Sequence, residues 1–146
     1  MNTSSSTAIA HRPPRRSRWE ALSPVVLAAM MLIAGVAHLL WPRAYLPAMP
    51  PWLLPQHHLL IIHVTGVLEL LAAAGLMTRR LRRPAAWGLV AFFIAVSPAN
   101  IHMAIHRVPL GGMDWPWLLW LRVALQLPLI GWAWTIARRP VRRNRR

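Results

Sequence analysis

Four apolar runs, residues 22–41, 59–78, 85–105 and 115–137, take up most of this chain of 146 residues. At ~1.5 Å per residue, a helix of about 20 residues crosses a hydrocarbon core of ~30 Å, and each run reaches that length. Inside lipid every backbone N–H and C=O must be satisfied within the segment, which a continuous helix does. The expected fold class is therefore all-α: an integral membrane up-down-up-down four-helix bundle. The length leaves no room for a second domain.

Composition and charge agree with this only if they are segregated along the chain. The sequence is 56% hydrophobic and 14% charged, yet carries a formal charge of +14. All 17 basic residues are arginine, and every one except Arg122 sits in the segments that flank the apolar runs. Arg12, Arg15, Arg16 and Arg18 precede the first run, Arg79, Arg80, Arg82 and Arg83 join the second to the third, and Arg138, Arg139, Arg142, Arg143, Arg145 and Arg146 follow the fourth. The other two connections hold only Arg43 and Arg107. The positive-inside rule then puts both termini and the middle connection in the cytoplasm, in a multi-pass protein of the cell (inner) membrane. Residues 1–21 and 138–146 are expected as basic cytoplasmic tails, the first disordered because Ser4–Ser6 and Pro13–Pro14 offer nothing to bury.

The same placement excludes other classes. A nucleic-acid surface interleaves its charge with polar and aromatic residues on a folded face, so no nucleic-acid partner is expected. The first run is too long for a signal peptide and lacks a small-residue cleavage site after it, so it is expected to stay as a span. There is no cysteine, hence no thiol chemistry on this chain. Pro42, Pro47, Pro50, Pro51 and Pro55 forbid a continuing helix between the first two runs. With Tyr45 and Trp52 among them, that connection is expected to lie along the membrane surface. The nine tryptophans fall near the two ends of the runs, as interfacial belts with no ligand role.

The few polar residues left inside the runs are the candidates for function, because lipid penalises each of them. Glu69 is central in the second run; Thr65, Gly66, Ala72, Ala73 and Leu76 share its helical face. Small residues mark surfaces where membrane helices approach, so Glu69 faces the bundle. Arg122 and Gln126, four apart, share one face of the fourth run. His38, Asn100 and His63 lie toward the outer ends of the first, third and second runs. Spans of alternating direction bring all six to the outer half. Arg122 is the only intramembrane cation, so Glu69 is expected to meet it, directly or through Gln126 or a water. Pro98 and Pro128 should free the carbonyls of Ile94 and Ala124 and bend their helices, opening a polar pocket or simply kinking the packing. His102 and His106 have the i, i+4 spacing of a metal pair, but no carboxylate follows at a useful distance and Asp114 is the only acid on that side, so no metal site is assigned.

Taken in order, several motifs resemble the DoxX-like family of small integral membrane proteins. They are Gly35-Val36-Ala37-His38 with Pro42 and Tyr45, Thr65-Gly66-Val67-Leu68-Glu69, Ala85-Ala86-Trp87-Gly88-Leu89, Pro98-Ala99-Asn100-Ile101-His102-Met103-Ala104, and Leu121-Arg122 with Leu125-Gln126. The resemblance covers about residues 22–137 and implies a four-helix membrane bundle. Glu69, Asn100, Arg122 and Gln126 match its recurrent positions, while Ser97 stands where a bulky apolar residue such as Phe would be expected. Some members are membrane subunits associated with thiosulfate oxidation coupled to quinone. The expectation that follows is a membrane protein, not an enzyme on its own, whose polar cluster binds a quinone or another amphipathic lipid. The alternatives are a subunit of a quinone-linked oxidoreductase, with redox-complex subunits as partners, and a small proton-linked transporter using Glu69. No other cofactor is implied.

Overall fold

The computed structural model describes residues 18–109 and 115–139. Among these the chain is helical and holds no β-strand. Four long helices, α1 (Arg18–Leu40), α2 (His58–Met77), α3 (Arg82–Ile105) and α4 (Pro116–Arg138), coincide with the four apolar runs to within a few residues. Each is long and apolar enough to cross a membrane. Large side chains such as Ile33, Leu71 and Leu127 point outward, with Leu127 75% exposed.

α1 begins earlier than expected. The tail assigned to residues 1–21 turns helical at Arg18, and at the other end α4 continues through Arg138; residues 1–17 and 140–146 of the two tails lie outside the described residues. Pro24 is therefore the seventh residue of α1 and not in its first turn. A proline has no N–H for the carbonyl four residues back. That carbonyl, on Glu20, accepts a hydrogen bond from Arg139 Nη1 at 2.7 Å. The extra turn is also held by Trp19, which stacks on Trp132, while Trp132 Nε1 donates to the fully buried Ser23 hydroxyl at 2.7 Å.

Glycines decide where the helices approach. A Cβ on Gly35 would stand 2.8 Å from the Gly66 carbonyl oxygen, and one on Gly66 would stand 3.0 Å from the Gly35 carbonyl oxygen, so α1 and α2 are in backbone contact there. Gly75 of α2 meets Ala85 of α3 as closely, at 2.6 Å from its Cβ. On α3 and α4, Arg83 lies beside Ala137, Phe93 beside Gln126 and Asn100 beside Arg122, so these two helices run in opposite directions.

Two arginines in the first turn of α3 cap other helices. Arg82 Nε donates to the Leu76 carbonyl at 2.8 Å and Arg83 Nε to the Ala137 carbonyl at 3.0 Å, both among the last, unpaired carbonyls of α2 and α4. A cation at a helix C-terminus also opposes the negative end of the dipole. The apolar core fills this half of the molecule, with Leu27, Met31, Leu76, Leu89, Phe93 and Ile136 buried together.

Toward the other end, the α1–α2 pair and the α3–α4 pair separate. The proline-dense connection closes this end as a 3-10 segment, Pro42–Ala48, followed by a single turn at Pro55–His57. Part of it is buried instead of lying flat on a surface: Ala48 packs with Met103, Ala104 and Leu119, and Pro50 is enclosed, while Trp41 and Trp52 remain exposed.

Candidate ligand-binding cavity

Between the two helix pairs, under the 3-10 segment, lies a cavity of about 410 Å³. Its walls are mostly apolar, with Ile61, Ile62, Leu68, Phe92, Phe93 and Leu125 among them. Five of the six polar residues singled out in the sequence line it: His38, Glu69, Asn100, Arg122 and Gln126. Glu69, Asn100 and Gln126 are buried.

The pairing within this cluster differs from the expected one. Glu69 meets His38, not Arg122: His38 Nδ1 lies 2.9 Å from Glu69 Oε2 and 3.0 Å from the Ala34 carbonyl. A carbonyl can only accept, so Nδ1 carries a hydrogen shared between the two oxygens. Arg122 Nε donates instead to Asn100 Oδ1 at 2.9 Å. Gln126 bridges nothing to Glu69; its Nε2 donates to the Phe93 carbonyl at 3.4 Å. The reason lies in the backbone. Gly35 and Gly66 each precede a member of the His38–Glu69 pair by three residues, about one turn, so their contact brings those side chains together. Arg122 stands on the far pair of helices, within electrostatic range of Glu69 and Tyr45 but across the cavity.

His63 is outside the cluster. It is exposed, and its Nδ1 bonds the Leu59 carbonyl of its own helix at 2.7 Å. Six residues from Glu69, at 3.6 residues per turn, it points about 120° away around α2. His63 therefore lies on a different face of α2 from Glu69 and does not line the cavity.

α3 runs on through Pro98 as one helix, from Arg82 to Ile105. Ser97 Oγ donates to the Phe93 carbonyl at 2.7 Å, the oxygen that also receives Gln126. Ser97 thus spends its hydroxyl hydrogen within α3 and does not line the cavity. His102 and His106 pack ring against ring with centroids 4.1 Å apart, and His106 Nδ1 donates to the His102 carbonyl. Among the described residues no group of three His, Cys, Asp or Glu could hold a metal, and Asp114 lies outside those residues.

Tyr45 joins the site without having been singled out for it. From the 3-10 segment its ring stacks on His38, centroids 4.1 Å apart, and covers the His38–Glu69 pair. As the only tyrosine of the chain, placed just after the span that carries His38, it offered a signal.

The cavity has two chemically distinct polar walls. The α1–α2 wall presents a histidine–carboxylate pair, able to accept a hydrogen bond or hold a proton. On the α3–α4 wall the four Nη hydrogens of Arg122 have no protein acceptor among the described residues. Donors on one side, a proton-holding pair on the other and apolar walls between them suit a flat or slender molecule with oxygens at its head.

Fold and site together define, among the described residues, an all-helical protein with four helices apolar and long enough to cross a membrane and a polar-headed cavity between two helix pairs. The chain belongs to the family described as a domain of unknown function (DUF8561), which matches residues 27–137 and so takes in every cavity residue named above. No curated protein and no solved structure matches it.

Proposed function

We propose that this protein is a four-helix membrane bundle, up-down-up-down with both termini cytoplasmic, that binds the head of a quinone or a similar amphipathic lipid in the cavity between its helix pairs. The observation that carries the reading is the split of the polar cluster: Arg122 keeps unspent donors facing an apolar-walled cavity, while Glu69 is already engaged by His38. In low dielectric, unspent guanidinium donors favour an oxygen acceptor strongly. A quinone carbonyl accepts from Arg122, and a quinol hydroxyl donates toward the His38–Glu69 wall.

Membrane insertion is supported by the exposed apolar side chains around all four helices, which in water would form an aggregating surface. The orientation rests on the arginine asymmetry, and the cell (inner) membrane is its natural setting. The DoxX-like resemblance at Glu69, Asn100, Arg122 and Gln126 supports the same site. On this reading the chain binds rather than reacts, and redox chemistry would belong to a partner complex.

Native mass spectrometry of the detergent-extracted protein tests this. The expected spectrum carries a co-purifying quinone or lipid adduct that is depleted in Arg122→Ala. An adduct-free spectrum, or adducts equally abundant in Arg122→Ala, would count against it. The His38–Glu69 pair favours a second reading, proton-linked transport, which predicts a pH-dependent flux in vesicles that Glu69→Gln abolishes.

A further inference from the structure

A second, wholly apolar groove of about 220 Å³ lies between α2 and α3 and shares two walls, Leu68 and Phe92, with the polar cavity. From those two residues it runs toward the arginine-bearing connection past Leu71, Ala72 and Gly88. It ends where Gly75 and Ala85 bring the helices into contact. Small residues create it: Ala72 and Ala85 are too short to fill the space, and a Cβ on Gly88 would meet nothing within 4 Å. From Ala85 to Phe92 it is about 10 Å long at ~1.5 Å per residue.

We infer that this groove holds the hydrocarbon chain of the molecule whose head occupies the polar cavity, with Leu68 and Phe92 flanking the passage from one to the other. The inference rests on the head-group reading above and sharpens its ligand class to a long-chain amphiphile held by head and tail. Adjacency, with Leu68 and Phe92 lining both spaces, favours this occupant over loosely exchanging bilayer lipid. A molecule with its head at Arg122 must send its chain somewhere, and this exit is lined for it, leading away from the 3-10 segment that closes the cavity's other end.

Gly88 gives a direct test, because it lines the groove and a Cβ there would meet nothing within 4 Å. Gly131 on α4 is equally open and lies outside both cavities, so Gly131→Leu is the control. The probes are a benzoquinone bearing a decyl chain and the same ring bearing only a methyl group. Both are titrated into phosphatidylcholine nanodiscs holding the full chain, with concentrations expressed as mole fraction in lipid so that partitioning cancels.

Gly88→Leu is expected to weaken decyl-probe binding about tenfold or more, the scale of losing a few buried methylenes, and to leave the methyl probe unchanged. Gly131→Leu should change neither. Undiminished decyl affinity in Gly88→Leu would overturn the tail groove while leaving the head site standing. Failure of both probes to bind the wild-type chain would overturn the head-group reading and the groove with it.

Discussion

Gly35 and Gly66 press backbone to backbone, and one turn beyond each of them His38 and Glu69 meet at 2.9 Å. The glycine contact is thus the support of the polar pair. Gly35→Ala would put a methyl group against the Gly66 carbonyl oxygen, which cannot give way as a flexible side chain would. Overpacking of this kind costs roughly 1–3 kcal/mol. Reversible unfolding in mixed detergent should show that loss for Gly35→Ala, and essentially none for Gly131→Ala, where nothing lies within 4 Å.

The rearranged pairing makes a prediction about coupling. Residues in direct contact show interaction energies of about 0.5–3 kcal/mol in a double-mutant cycle, whereas separated ones add within about 0.5 kcal/mol. The cycle His38→Ala with Glu69→Gln should show coupling in that range, as should Asn100→Ala with Arg122→Ala. Glu69→Gln with Arg122→Ala, which share the cavity but make no direct contact, should couple more weakly than either of these pairs. Strong coupling in this third cycle, measured by the same unfolding assay, would restore the Glu69–Arg122 pair in place of the arrangement described.

At the opposite end, Ser23 is the acceptor for Trp132 Nε1 in a fully buried setting. Ser23→Ala leaves that indole N–H without its partner, at a cost of about 1–3 kcal/mol. Thr135→Ala removes an exposed hydroxyl bonded only within its own helix, so its effect should stay within about 0.5 kcal/mol. Equal effects of the two would show that the Ser23–Trp132 bond does not hold α1 to α4.

Topology can be read without first removing any native thiol, since the chain has no cysteine. Thr78→Cys in the α2–α3 connection should react with a membrane-impermeant maleimide only from the cytoplasmic side, and Gln56→Cys only from the opposite side. Labelling of both from the same face would contradict the orientation drawn from the arginines.

How far the sequence reaches is visible in particular residues. Helix positions were legible because hydropathy, prolines and arginines act locally, and α2, α3 and α4 begin and end within three residues of the apolar runs. That Glu69, Asn100, Arg122, Gln126 and His38 share one cavity was legible from their depth along spans of alternating direction. Which of them pair was not. Pairing depends on the rotation of each helix about its axis and on how closely its neighbour approaches, and Gly35 against Gly66 sets both for Glu69. His63 shows the same limit, having the right depth on the wrong face. Tyr45 escaped because five prolines announce that a segment is not an α-helix without saying where it folds back. The Ser23–Trp132 bond escaped because interfacial tryptophans need no partner in the chain to explain them.

On the proposed function, Arg122, left with free donors beside an apolar-walled cavity, holds the oxygen head of an amphipathic molecule. Titration of decyl-benzoquinone into nanodiscs bearing wild-type protein or Arg122→Ala, with unfolding followed in parallel, tests it most directly. Binding should weaken at least about tenfold in Arg122→Ala, the loss of one charge-assisted hydrogen bond of roughly 1.5–3 kcal/mol, while the folded state persists. Equal affinity in a folded Arg122→Ala protein would contradict the claim.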